Sequence, residues 1–248
     1  MGRLLRPALV TATALALAVA FTLVAAIVLG GSGAQNDPGT DASRVRAAGR
    51  GAPATDIESL QARLRTTPRD HRAWSTLALA YVEQARVTAD PTYYSRADEA
   101  VDRSARLAPG DSVMLTARAS LAAARHDFTA ALRAVDKAIA ANGYSAAAHA
   151  IRSDALTELG RYGPARRAAH RADNLEPGPA TFARLSYAAE LRGDLPEAAR
   201  LMRLSRDAAG SSAATYAFAA FHLGELARTT GDMAAAAGHY AAALDADP

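Results

Sequence analysis

The sequence predicts an all-α protein: a helical solenoid preceded by one N-terminal transmembrane helix. Two observations indicate the solenoid. Alanine dominates the apolar residues and aromatic residues make up only 6% of the chain, which suits closely packed helices and disfavours a sheet. A small residue also recurs in steps of 34, 34, 33 and 38 residues, at Ala97, Ala131, Ala165, Ala198 and Ala236. Repeats of that length, built from pairs of short helices, are typical of solenoids.

The N-terminal segment predicts the membrane helix. Arg3 and Arg6 lead into an uncharged stretch from Ala8 to Leu29. As a helix this stretch is about 33 Å long, enough to cross a hydrocarbon core of about 30 Å. The alternative is a signal peptide cleaved near Ala34, but apolar regions of signal peptides usually run about 7–15 residues. We therefore expect residues 1–30 to be a retained anchor, with secretion after cleavage as the alternative.

The remaining chain divides by composition. Residues 31–54 are rich in Gly, Ala, Ser and Pro and show no period, which predicts a flexible linker. Helix signals begin at Thr55, because Thr55 and Glu58 fit a capping box. We expect residues 55–248 to form about four and a half helix pairs, apparently uncapped at the C-terminus.

Several motifs in this region resemble one family of helical repeats. The opening motif is Trp74-x-x-Leu77-Ala78-x-x-Tyr81, and later copies contain Leu159-Gly160-Arg161-Tyr162 with Ala165 and Pro177, Gly193-Asp194 with Ala198, and Leu223-Gly224 with Gly231, Ala236, Tyr240 and Pro248. Residues 55–248 resemble bacterial tetratricopeptide-repeat proteins that are exported or anchored in a membrane. The resemblance implies helix hairpins whose first helices line a concave, protein-binding face.

The first repeat departs from this pattern. An insertion around Arg86 and Tyr94 separates Tyr81 from Ala97. Asp90 and Pro91 have the pattern of an N-cap followed by proline at the first helical position. The sequence therefore predicts a longer turn between the two helices of this hairpin.

Charge and composition argue against several kinds of function. The net charge is +3, but no basic run with interleaved aromatic residues is present, so we predict no nucleic-acid partner. The chain has no cysteine, and its six histidines show no pairs at helical spacing, so we predict no metal site. It lacks phosphate-binding and nucleophile motifs, and we predict neither a cofactor nor an enzyme.

The first helices supply the candidate binding residues. Projecting the repeat register places carboxylates and aromatic side chains on their outer face: Glu83, Asp154, Glu158, Tyr187, Glu190, Phe218, Phe221 and Glu225. Such a groove would favour a protein segment with basic residues and an apolar anchor. The alternative is that the acids only solvate this face and the phenylalanines pack against the neighbouring repeat.

These observations predict a non-catalytic protein-interaction scaffold on the extracytoplasmic side of a membrane. One alternative is an assembly factor in extracytoplasmic protein maturation, such as cytochrome biogenesis, since the segment from Leu60 to Tyr81 resembles such proteins. Another is the non-catalytic part of a longer enzyme. The last helix places Met233 and Leu244 among its apolar residues, so self-association through this end is also expected.

Overall fold

The structure of the protein is a computed structural model that describes residues 53–247. The predicted anchor from Ala8 to Leu29, the cleavage near Ala34 and the linker up to residue 52 lie outside the described residues. Within residues 53–247, every helix is too short or too polar to cross a bilayer.

The described residues form eleven α-helices and no strand. In chain order the helices are α1 (Pro53–Thr66), α2 (His71–Thr88), α3 (Thr92–Leu107), α4 (Ser112–Ala124), α5 (Phe128–Ala141), α6 (Ala146–Glu158), α7 (Tyr162–Leu175), α8 (Pro179–Glu190), α9 (Leu195–Asp207), α10 (Ala213–Thr230) and α11 (Met233–Ala246). They belong to two compact units: unit 1 ends at Ala141 and unit 2 begins at Asn142. Unit 1 therefore contains α1 to α5, and unit 2 contains α6 to α11.

Short polar side chains begin most of the helices. An oxygen of Asp70 accepts a hydrogen bond from the backbone N–H of Ala73 at 3.0 Å, and Asp232 caps α11 through Ala235 in the same way. These side chains satisfy backbone donors that have no partner inside the helix. Helix α1 is an exception to the prediction, because it begins at Pro53 and Thr55 lies inside it rather than at its cap.

The connections inside the hairpins are tight because one residue in each adopts a left-handed backbone. Gly160 and Gly193 have φ angles of 71° and 78°, which glycine adopts without a steric penalty. His126 holds the equivalent place in unit 1, with a φ of 61°. A connection of two to four residues then returns the chain along the helix it has just left.

Small residues let the two helices of each hairpin pack closely. The recurring alanines at the contact are at most 3% exposed: Ala97, Ala131, Ala165, Ala198 and Ala236. Their neighbours on the first helices are also small, and in unit 2 two of them are serines that bond across the contact. The hydroxyl of Ser153 donates to the carbonyl of Ala165 at 3.0 Å, and that of Ser186 donates to the carbonyl of Ala198 at 2.7 Å. The small side chains thus contribute hydrogen bonds between helices as well as room for close approach.

The prediction of a long turn in the first hairpin was wrong. Helix α2 continues to Thr88 and α3 begins at Thr92, so only three residues connect them. The inserted residues lengthen the helices instead, and α2 has 18 residues where α4 has 13. Within the lengthened hairpin, the ring centroid of Tyr93 lies 6.0 Å from that of Tyr81.

Candidate functional site

Seven of the eight predicted groove residues lie on the first helices of the three hairpins of unit 2. Helix α6 contributes Asp154 and Glu158, α8 contributes Tyr187 and Glu190, and α10 contributes Phe218, Phe221 and Glu225. Glu83 lies on α2 in unit 1. The candidate site is therefore a property of unit 2.

Asp154 is buried and holds α6 to α8. Its side chain is 6% exposed and receives two hydrogen bonds of 2.9 Å from the Arg184 guanidinium, one to each carboxylate oxygen. Arg184 also donates to the carbonyl of Ala180 at 2.9 Å. Burial raises the pKa of Asp154, and the guanidinium opposes that rise. The structure thus places Asp154 beneath the surface, as a connection between two hairpins.

Two further carboxylates have partners on their own hairpin. Glu225 receives hydrogen bonds from Arg228, at 2.8 Å, and from the hydroxyl of Tyr240. Hydrogen bonds from Arg228 and Tyr240 lower the pKa of Glu225. Glu83 is only 9% exposed and receives a hydrogen bond of 2.9 Å from Arg86.

Glu158 and Glu190 form no ion pair with any residue in the described part of the chain. One carboxylate oxygen of Glu158 is buried without a hydrogen-bond partner there. Burial raises the pKa of Glu158, and the nearby charge of Asp154 adds to the rise. Burial also raises the pKa of Glu190, with a further contribution from Glu225. Both groups are half-buried acids in a negative field.

Tyr187 lies near both of these acids. Burial raises the pKa of Tyr187 to about 12, and the charges of Glu158 and Glu190 contribute to that rise. The two carboxylates therefore lie within electrostatic range of the Tyr187 hydroxyl, because exposed charges are screened over about 8 Å at physiological ionic strength. We call Glu158, Tyr187 and Glu190 the acidic cluster.

An aromatic group on α10 and α11 lies beside Glu225. The ring of His222 is 4.5 Å from that of Phe218 and 5.6 Å from that of Phe221, measured between centroids. Phe221 also contacts Tyr240 at 5.6 Å, yet its side chain remains 38% exposed. Phe218 is half-buried. The ring contacts of both phenylalanines lie within their own hairpin, and Phe221 also presents a surface to solvent.

His222 is a polar residue in an apolar setting. Its Nε2 atom is buried and lacks a hydrogen-bond partner among residues 53–247. Burial lowers the pKa of His222 to about 4, although Glu225 opposes the change. The ring is therefore neutral at pH 7.

Sequence reasoning did not identify Arg184, His222 or Tyr240 as parts of this region. A signal existed for Tyr240, since Gly224 is the smallest residue at its repeat position and faces it. No comparable signal existed for Arg184, which lies 30 residues from Asp154. Over residues 53–247, no three His, Asp or Glu side chains are grouped so as to hold a metal ion.

The repeated hairpins, their small contact residues and their tight turns define a helical-repeat protein. No protein-family model and no curated protein matches the chain. Solved structures do match it. In the crystal structure of the Cut9–Hcn1 assembly of the APC/C, a chain is 14% identical with a TM-score of 0.68, over 83% of this chain and 38% of that one.

Two smaller structures are similar over most of their length. The pilF protein of Pseudomonas aeruginosa is 17% identical with a TM-score of 0.59, over 73% of this chain and 79% of that one. PilW, described as a type IV pilus biogenesis factor, is 18% identical with a TM-score of 0.58, over 76% and 83%. These structures are tetratricopeptide-repeat proteins, and the likeness confirms the predicted tetratricopeptide-repeat fold.

Proposed function

We propose that the chain is a non-catalytic protein-interaction scaffold and that unit 2 binds a partner segment carrying basic residues. The proposed surface comprises the acidic cluster together with Phe221 and Glu225. The fold supports this role, because the resemblance to tetratricopeptide repeats assigns partner binding to the first helices, on which Glu158, Tyr187, Glu190 and Phe221 remain partly or fully exposed. We also propose that the scaffold lies on the extracytoplasmic side of a membrane and is attached to it through the stretch from Ala8 to Leu29.

The observation that carries the proposal is the division of the carboxylates into paired and unpaired groups. Asp154 and Glu225 already have cationic partners within unit 2, whereas Glu158 and Glu190 have none among the described residues. Burial raises the pKa of Tyr187, and the charges of Glu158 and Glu190 contribute to the rise. A lysine or arginine of a partner would supply hydrogen bonds to Glu158 and Glu190 and offset the repulsion of Glu158 by Asp154 and of Glu190 by Glu225.

Phe221 gives the same surface an apolar contact. It is large, 38% exposed and one helical turn before Glu225 on α10. Aromatic side chains that are partly supported by their neighbours are frequent centres of binding energy at protein interfaces. We therefore propose a partner segment with at least one basic residue and one apolar residue.

The test compares two double variants with the same change in net charge. Glu158→Gln with Glu190→Gln removes the unpaired acids, whereas Glu83→Gln with Glu197→Gln removes acids that are paired with Arg86 and Arg200. The probes are synthetic peptides that alternate arginine with leucine, and matched peptides with glutamate in place of arginine. We expect the first variant to bind the arginine peptides about 10-fold more weakly, as for the loss of one or two charged hydrogen bonds.

The control variant should bind within a factor of two of the wild type, roughly the scatter expected for surface charges. Binding should also weaken with salt, since charges are screened over about 8 Å at physiological ionic strength. Equal affinity of both variants, or equal affinity for arginine and glutamate peptides, would contradict the proposed site.

Self-association through α11 stays a prediction. The side chains of Met233 and Leu244 on this helix are 61% and 66% exposed.

A further inference from the structure

The most strongly basic face of unit 2 lies on α7, away from the acidic cluster. Four arginines are exposed on or just before this helix: Arg161, Arg166, Arg167 and Arg171. None of these four guanidinium groups forms a salt bridge with a carboxylate of residues 53–247. The salt bridges of this part of the chain involve other residues. Their charge is therefore uncompensated at close range.

The helical period gathers these cations on one side of α7. The buried side of the helix consists of alanines: Ala165, Ala168, Ala169 and Ala172. The opposite side carries Arg166, Arg167, His170, Arg171 and Asn174, all exposed, with no acid among them. At 1.5 Å per residue, the exposed side from Gly163 to Asn174 extends over about 16 Å. Because the alanines face the neighbouring helices, this side points away from the first helices and the acidic cluster.

An exposed tyrosine lies at the edge of the same face. The side chain of Tyr144 is 80% exposed, and the guanidinium carbon of Arg171 lies 5.8 Å from the centre of its ring. Tyrosine beside arginine is typical of surfaces at the level of lipid head groups, where an amphipathic ring and a cation both find partners.

The charge of this face also affects a neighbouring group. Burial lowers the pKa of His149, and the positive charges of Arg171 and Arg152 lower it further. Arg171 and Arg152 thus contribute positive charge near His149, whereas Glu158 and Glu190 contribute negative charge near Tyr187.

The neighbouring second helix provides a comparison. On α9, Arg200 pairs with Glu197 at 2.7 Å, and Arg206 pairs with Asp207 at 2.8 Å. The arginines of α9 are thus mostly neutralised by acids on the same helix, whereas those of α7 are not. A generally basic composition does not account for this difference between two equivalent helices.

We infer that the exposed side of α7, together with Tyr144, docks on an anionic phospholipid surface. Charge complementarity favours this occupant, since each arginine close to an anionic bilayer strengthens its attachment about 5-fold. The exposed tyrosine and the sparse aromatic content favour a bilayer over a nucleic acid, whose recognition usually adds several stacking rings. The predicted membrane segment in the same chain would keep this face close to such a surface. The acidic cluster would then remain open to a protein partner.

The experiment uses the full chain reconstituted in phosphatidylcholine vesicles with or without phosphatidylglycerol. The sequence has no cysteine, so Asn174→Cys provides a single site for a fluorophore on the exposed side of α7. Lipids carrying a quencher at the head group then report contact between this side and the bilayer. We expect strong quenching only with phosphatidylglycerol, and its loss at high salt.

Two triple variants separate the proposed contact from general charge. Arg166→Gln, Arg167→Gln and Arg171→Gln together should weaken docking about 100-fold, from roughly 5-fold for each arginine. Arg200→Gln, Arg203→Gln and Arg206→Gln remove the same charge from α9 and should have a much smaller effect. Glutamine retains helix propensity, and circular dichroism verifies folding.

Three outcomes would overturn the inference. They are equal quenching with and without phosphatidylglycerol, equal loss in the two triple variants, and a fluorescence response to short duplex DNA that exceeds the response to anionic vesicles. The last would assign this side of α7 to nucleic acid.

Discussion

The two units contain the same local sequence pattern at the same repeat position, with different results. Glu83 and Arg86 in unit 1 correspond to Glu158 and Arg161 in unit 2, counted from the small residues Ala78 and Ser153. Glu83 and Arg86 form an ion pair. Glu158 forms no ion pair within the described residues, and one of its oxygens has no hydrogen-bond partner there.

The length of the helix explains the difference. Helix α2 continues to Thr88, so Glu83 and Arg86 lie on neighbouring turns of one helix. Helix α6 ends at Glu158, and Gly160 then turns the chain with a φ of 71°. Arg161 therefore lies at the cap of the next helix rather than one turn beyond Glu158. Spacing in sequence predicts an ion pair only as far as the helix continues.

Asp154 adds a third case, in which the partner comes from another hairpin. Replacing Arg184 by methionine would leave Asp154 buried without its partner, and we expect a loss of about 3–5 kcal/mol in the free energy of unfolding at pH 7. Urea denaturation followed by circular dichroism measures this loss. The double variant Arg184→Met with Asp154→Leu should recover most of it, because it removes the buried charge as well. A small loss in the single variant would show that the ion pair does not support the contact between α6 and α8.

The second buried atom without a hydrogen-bond partner in residues 53–247 is Nε2 of His222, and the pH dependence of stability tests its burial. Its pKa is about 4 in the folded protein and 6.5 as a free group, so the unfolded state binds more protons between these values. Stability from this group is complete above pH 6.5 and is lost as the pH falls towards 4. At about 1.36 kcal/mol per pKa unit, the loss is about 3 kcal/mol. His222→Phe should flatten this part of the pH profile, as measured by thermal or urea unfolding. Identical slopes in variant and wild type would contradict the assigned burial.

The smallest expected effects on stability distinguish the unpaired Glu158 from the paired Glu83. The pKa of Glu158 is raised in the folded state, so its charge opposes folding once the pH rises above the ordinary value of 4.5. Glu158→Gln should therefore stabilise the protein at pH 7, by a few tenths to about 1 kcal/mol after solvent screening. The gain should disappear as the pH falls below 4.5.

Glu83→Gln should have the opposite sign. It removes an ion pair within a helix, worth about 0.2–0.5 kcal/mol. Melting temperatures of the two single variants, measured side by side at pH 7, show whether the two effects on stability have opposite signs. Destabilisation by both would show that Glu158 already has a stabilising partner.

The sequence predicted the repeating elements well because their causes are local. Caps such as Asp70, turn glycines such as Gly160 and the buried alanines act within a few residues or at a fixed period. The state of each acid depends on features that are not local. Asp154 meets Arg184 only because two hairpins pack in one register, and the length of α2 depends on an insertion whose residues continue the helix. The sequence therefore indicated which acids to consider, and the structure shows which ones have partners.

The contact between Gly224 and Tyr240 restricts the order in which substitutions can accumulate. A Cβ atom on Gly224 would lie 2.5 Å from a ring carbon of Tyr240, so any larger residue there must displace the ring. The equivalent pairs in other hairpins combine a larger first member with a smaller second one, such as Ala78 with Val101 and Ala119 with Val135. A larger residue at position 224 therefore requires the Tyr240 ring to move or a smaller residue to replace it. Replacements at Gly224 and Tyr240 should therefore be energetically coupled, and a smaller residue at position 240 alone would leave a cavity beside Gly224.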